Sequence, residues 1–143
     1  YAADWITATR AWLIGMNLPA LRARDIMAAA EKLLNEPGVT QVRIEASDTA
    51  GIWALLAASQ MDKSKLAGVR IERVPHSIRQ AYESPIHRGL HDVTMPNFAA
   101  SFDLEDVVKL VGADKVEWWD PMDWMRNRVP VDRPWIRYSK FGH

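Results

Sequence analysis

The sequence of 143 residues contains no cysteine. That excludes disulfides, thiolate metal sites and a cysteine nucleophile, and it leaves the compartment open. Net charge is absent too, since 18 Lys and Arg balance 18 Asp and Glu. A chain held to nucleic acid by overall positive charge is disfavoured, and so is an acidic solvating chain. No apolar run approaches the ~18 residues that a membrane helix needs, and no charged-then-apolar leader opens the chain. The first residue is Tyr1, which reads as the start of a processed product or of a piece of a longer protein. Hydrophobic residues at 48% and charged residues at 25% exclude disorder, collagen and coiled coil, and fit one globular domain. Tryptophan is the abundant residue, with seven against three Tyr and three Phe.

Hydrophobic spacing orders the chain. Trp5, Ile6, Ala8, Trp12, Leu13 and Met16 recur at helical spacing over residues 1–16, interrupted by Gly15. Asn17 with Pro19 reads as the start of a helix that runs to Asn35, with Ala23, Met27, Ala30 and Leu34 on one stripe; Glu36-Pro37-Gly38 stops it. Val39 to Ala46 reads as a strand, Ala50 to Met61 as a helix buried nearly all round, and Leu66 to Val74 as a second strand ended by Pro75. Residues 76–101 read as loops and short helices. Asp103 is the expected N-cap of a helix that reaches Val111, with Asp106 as its capping-box acid and Gly112 at its end. Lys115 to Trp119 reads as a third strand. This alternation predicts an α/β fold with a mostly parallel sheet. The Arg and Glu residues within the strands conflict with a sheet buried on both faces, and imply an edge position or a covering segment.

The sharpest local signal is the strand, turn and small-residue helix at Ile44-Glu-Ala-Ser-Asp-Thr-Ala-Gly51. It has the layout of a nucleophile elbow, where a strained turn between strand and helix exposes the apex side chain and needs small neighbours. With Asp48 at the apex, the flanking residues are Ala46 and Ala50, and the sterics fit. Two roles stay open for Asp48: a carboxylate nucleophile, or a plain N-cap of the helix that follows.

This stretch, with Leu21-Arg-Ala-Arg-Asp-Ile26 before it, His91-Asp, Met95-Pro-Asn-Phe98 and Asp103-Leu after it, and Val116-Glu-Trp-Trp-Asp-Pro-Met-Asp123 last, resembles the α/β-hydrolase superfamily, and within it the acetylxylan-esterase-like branch. The resemblance covers about residues 10–125. It implies the C-terminal half of a three-layer α/β-hydrolase sandwich over residues 1–125, followed by a basic, aromatic tail over 126–143 that packs on the same or a neighbouring domain. The expected partners are a small ester or carbohydrate substrate, and the missing N-terminal part of the fold or another domain. Nothing calls for a cofactor. The departures are specific. The aligned apex reads Ala46-Ser47-Asp48-Thr49-Ala50 where active esterases carry Gly-x-Ser-x-Gly, so catalysis is expected to be impaired, and Asn97 replaces a glycine in the proline loop.

By the same resemblance Asp123 aligns with the acid of a catalytic triad, whose work is to hold a histidine's tautomer and stabilise its cation. His143 is the only histidine after it, as the order nucleophile, acid, histidine requires. The candidate catalytic set is therefore Asp48, Asp123 and His143, beside the alternative of a non-catalytic scaffold used for binding or assembly. His87 and His91 are four apart, a spacing that can hold zinc on a helix, but Pro85 and Gly89 weaken any helix there and loop histidines are the better reading. His76 has no partner in sequence. Arg126, Arg128, Arg133 and Arg137 interleave with Trp135 and Tyr138, after a stretch (103–123) with seven acids and two lysines. Either these blocks pair with each other or the basic run meets a neighbour. Trp53 is expected in the core; Trp118, Trp119, Trp124 and Trp135 fit either a core or a sugar-stacking surface.

Overall fold

The computed structural model describes residues 2–83 and 90–140. Two helices lead, α1 (Ala2–Leu13) and α2 (Leu18–Leu34). α1 stops short of Met16, before Gly15 turns the chain at φ 73. Its packed side is Ala8 and Ala11, while Trp5 and Trp12 are 50% and 42% exposed. The helix meets α2 and the turn Leu90–Asp92, and small residues are what allow that close approach. α2 begins as its sequence predicts: the Asn17 side chain accepts from the Ala20 amide at 2.9 Å, and Pro19 sits in the first turn.

Strand and helix then alternate. β1 (Val42–Ser47), α3 (Thr49–Gln60), β2 (Leu66–Glu72), the short α4 (Arg79–Glu83) and α5 (Phe98–Ser101), α6 (Leu104–Val111), β3 (Val116–Trp119) and β4 (Ile136–Arg137) follow in order. The four strands form one all-parallel sheet in the order β1-β2-β3-β4. The α/β class with a parallel sheet is the expected one. β1 starts three residues later than the hydrophobic run, because Val42 pairs with Leu66, the first residue of β2. β2 ends at Glu72 because Arg73 turns at φ 53. β4 lies inside the stretch read as a tail. Trp135 and Ile136, each 8% exposed, belong to the same core as the other strands.

The charged strand residues have a simple place. Val42, Ile44, Ala46, Val69, Ile71, Val116 and Trp118 alternate onto one face, which packs with α3 and α6 around Ile52, Leu55, Val107 and Val111. Arg43, Glu45, Arg70, Glu72 and Glu117 alternate onto the other. There Arg43 crosses over Gly68 to reach Glu117 at 3.3 Å, and Arg70 lies over the Trp119 ring at 5.3 Å. Among the described residues the helix layer against the sheet covers its apolar face, so two of the three expected layers are present and the charged face is solvated. Full burial of short alkyl side chains on the covered face stabilises by about 1.5–3 kcal/mol for each large one, which is why the apolar alternation fixes the strand register.

The capping box at α6 forms as predicted: Asp103 accepts from the Leu104 amide, and Asp106 reaches back to the Asp103 amide at 3.1 Å. Asp103 does more than cap. Its carboxylate also accepts from the Ser77 hydroxyl and from the Ile78 amide at 2.8 Å, so it ties the start of α6 to the segment that leaves β2. Asn97 stands at φ 62, a left-handed position that asparagine holds more easily than most residues other than glycine.

Candidate functional site

The carboxyl ends of parallel strands are where α/β folds place ligands, and here those ends carry unusual backbone. Asp48 follows β1 at φ 53, Arg73 follows β2 at φ 53, and Asp120 follows β3 at φ 47; Arg126, further along the last of these connections, stands at φ 69. Non-glycine residues in sparsely populated regions cost on the order of 1–3 kcal/mol each and collect at functional sites.

Asp48 is the apex of the turn between β1 and α3, with φ 53 and ψ −140. Its side chain makes no cap hydrogen bond to α3, so the plain N-cap role is not the one it performs. The carboxylate turns instead to two guanidinium groups: Arg126 Nη1 lies 3.4 Å from Oδ1, and Arg73 Nη2 lies 3.7 Å from Oδ2. Arg73 also holds Glu72 at 2.8 Å. The tightness of the turn rests on Gly51. A Cβ there would lie 2.2 Å from Val74 Cγ2 and 3.3 Å from Ile71 Cβ, so α3 can approach β2 this closely only through glycine.

Asp123 is brought to the same cleft, which is lined by Asp48, Arg73, Pro75, Met122, Trp124 and Arg126 beside it. Its carboxylate is occupied locally. Oδ1 accepts from the Met125 and Asn127 amides, both at 2.8 Å, and Oδ2 from Asn127 Nδ2 at 2.9 Å. Burial pushes this carboxyl up, but the Asn127 side chain and the two backbone amides, with the charge of His76 nearby, outweigh it and hold it below the usual aspartate range. His143 lies outside the described residues, and so does His87.

His76, without a partner in sequence, is placed here by the parallel pairing of Pro75 with Met122. Its amide donates to the Met122 carbonyl at 2.9 Å, and its Nδ1 lies 3.1 Å from the same oxygen. Trp124 is buried and donates to the Ser77 carbonyl at 2.6 Å. The free volume of the cleft is about 20 Å³. That admits a water molecule or two, far below the few hundred Å³ of an organic-ligand pocket.

Two residues of the basic run pair with the acidic block that precedes it: Arg128 meets Asp120 at 2.9 Å, and Arg133 grips Glu105 through Nε at 2.9 Å and Nη2 at 3.0 Å, whereas Arg126 turns to Asp48. Trp118, Trp124 and Trp135 are core residues. Trp53 is only half-buried, with its indole N–H on the Asp92 carbonyl at 2.8 Å and Arg22 over its ring at 5.7 Å. Among the described residues no cluster of three His, Asp or Glu side chains is placed to hold a metal ion, and no helix is long and apolar enough to cross a membrane.

The structure brings Asp48 and Asp123, both singled out in the sequence, to one cleft with Arg73 and Arg126 and near His76, which the sequence did not place there. Arg73 carried no separate signal, since the hydrophobic run to Val74 reads it as part of the strand, and Arg126 was read only as the start of the basic run. No family model matches the chain, nor does any curated protein or solved structure.

Proposed function

We propose that the chain is a hydrolase-like scaffold without turnover: a partial α/β-hydrolase fold, similar to acetylxylan-type esterases, that serves in binding or assembly. The observation that carries this reading is the state of the elbow apex. Asp48 stands where an esterase needs a serine hydroxyl with a base beside it, and both its oxygens face cations, Arg126 on one side and Arg73 on the other. A carboxylate so paired is a weaker nucleophile, and the cleft beside it, at about 20 Å³, is far smaller than an organic-ligand pocket. The order of strands supports the hydrolase likeness: an apex residue after β1, and an acid after β3 with one further parallel strand beyond it.

One observation favours a second reading. The strained apex is retained although the serine is gone, as a carboxylate nucleophile would require. In that reading Asp48 attacks an alkyl carbon, expels a halide or opens an epoxide, and forms an ester that water then cleaves.

Hydrolysis of an aryl acetate by the protein, beside its Asp48→Asn variant, tests the proposal. The expected result is that both equal the buffer background. Saturable hydrolysis in the protein, lost at least about tenfold in the variant, overturns it.

A further inference from the structure

Among the described residues β1 is an edge strand, and its free side is chemically patterned. The Val42 amide donates to the Lys65 carbonyl and the Asp48 amide to the Glu72 carbonyl, so the even-numbered residues direct their backbone groups to β2. Arg43, Glu45 and Ser47 direct theirs outward. Along this edge, between α2 and β1, runs a groove of about 530 Å³, lined by Ile26, Ala29 and Leu33 from α2 and by Val42, Ile44 and Ala46 from β1. Leu33 is 56% exposed. Exposed strand edges are templates for further pairing, and proteins blunt them with charge. A run of one sign would repel a copy of itself. Arg43 and Glu45, two residues apart on one face, do the opposite.

We propose that this edge is a homodimer interface, in which β1 pairs antiparallel with β1 of a second copy about a two-fold axis centred on Ile44. The register follows from the backbone. The outward-facing residues are odd-numbered, so the pairs that exchange both N–H···O bonds are Arg43 with Glu45 of the second copy, and Glu45 with its Arg43. On the solvated face each such pair places opposite charges directly across the strands, the favourable cross-strand arrangement. On the apolar face Ile44 meets Ile44, and Val42 meets the smaller Ala46. The two-fold also continues each layer into its counterpart, so the α2 grooves of the two copies adjoin and Leu33 is covered. An interface of this kind is isologous, as closed dimers require. Arg43 keeps its contact with Glu117 and trades Glu45 of its own strand, now at 3.0 Å, for that of the second copy. The inference does not rest on the cleft at Asp48; a strand from outside these 143 residues, as a partial hydrolase fold implies, would compete for the same edge, and a monomeric wild-type protein would report it.

Sedimentation equilibrium of the full chain and three variants tests it. The protein is expected to be a dimer. Glu45→Arg sets arginine opposite arginine and is expected to weaken association by about tenfold or more; adding Arg43→Glu restores opposite charges and brings it back within about threefold. Glu45→Pro removes only an outward N–H and leaves the ladder to β2 intact, so it is expected to melt as a folded monomer. A monomeric wild-type protein overturns the proposal and leaves the edge for a strand of another segment. A dimer that survives both Glu45→Arg and Glu45→Pro overturns it as well.

Discussion

Asp48 and Arg126 lie 78 residues apart in sequence and form an ion pair at 3.4 Å, both of them at positive φ. The pair joins the elbow after β1 to the loop after β3. Arg73, after β2, completes the bridge from the other side. Three strand ends are thus tied to one carboxylate.

The cost of that arrangement is measurable. The ion pairs join side chains that are 38–49% exposed, where such pairs contribute no more than about 1 kcal/mol. The backbone strain at Asp48 is on the order of 1–3 kcal/mol. Strain therefore outweighs the pairing. Asp48→Gly is expected to raise stability by roughly 1 kcal/mol, or a few degrees in Tm, whereas Asp48→Asn, which tolerates the same φ, is expected to fall slightly. Thermal melts of the two variants beside the wild type decide it; a lower Tm for Asp48→Gly than for the wild type would mean that the ion pairs dominate.

Gly51 makes a sharper case. An added methyl would meet Val74 Cγ2 at 2.2 Å, and Val74 is fully buried. Gly51→Ala is expected to cost about 1–3 kcal/mol through overpacking. Truncating the opposing side chain should relieve part of it, so Gly51→Ala costs less in a Val74→Ala background than in the wild type. A double-mutant cycle by urea unfolding reads that coupling, and additive effects would contradict the packing account.

Asp103 serves three acceptor roles at once, to Leu104, Ile78 and Ser77. Asp103→Ala removes a cap and leaves two further donors without their acceptor. The expected loss is about 2–3 kcal/mol, larger than for Asp106→Ala on the same helix, whose carboxylate is on the surface. Equal losses in chemical denaturation would show that the tie to the segment after β2 contributes nothing.

Acid sensitivity should centre on Asp120, which is 8% exposed. Burial pushes its carboxyl up, but the Ser139 hydroxyl and amide, together with Arg128, outweigh it and hold the pKa below the usual aspartate range. A folded-state pKa below the unfolded value of about 3.9 means stability that is present above that pH and lost as the pH falls through the folded value. The stability gap between the wild type and Asp120→Asn is therefore expected to be widest above about pH 5 and to narrow steadily below about pH 4. A gap that stays constant between those limits would show that the carboxylate is not paired in the folded protein.

Much of the fold was legible because it rests on local patterns. The stripe with Ala23 and Ala30 marked α2, the alternation of Val42, Ile44 and Ala46 marked β1, and Asp103 with Asp106 marked the start of α6. What failed depended on distant partners. β4 is two residues between Trp135 and Tyr138, too short for periodicity to reveal, and it exists because Trp118 donates to the Trp135 carbonyl and Asp120 to that of Arg137. The hydrophobic spacing of α1 marked a helix but not its packed side, which is Ala8 and Ala11 rather than the larger Trp5 and Trp12. At the site, strand-to-helix sterics pointed to Asp48, but the arginines that neutralise it come from other strand ends, and the capping expectation gave way to them.

The most direct test of the account is covalent. The protein is incubated with an alkyl halide and, separately, with an epoxide, and the peptide that contains Asp48 is analysed by mass spectrometry. With its carboxylate bound by Arg73 and Arg126, Asp48 is expected to gain no mass. An alkyl ester on that peptide, absent from Asp48→Asn, would contradict the account and make Asp48 a nucleophile.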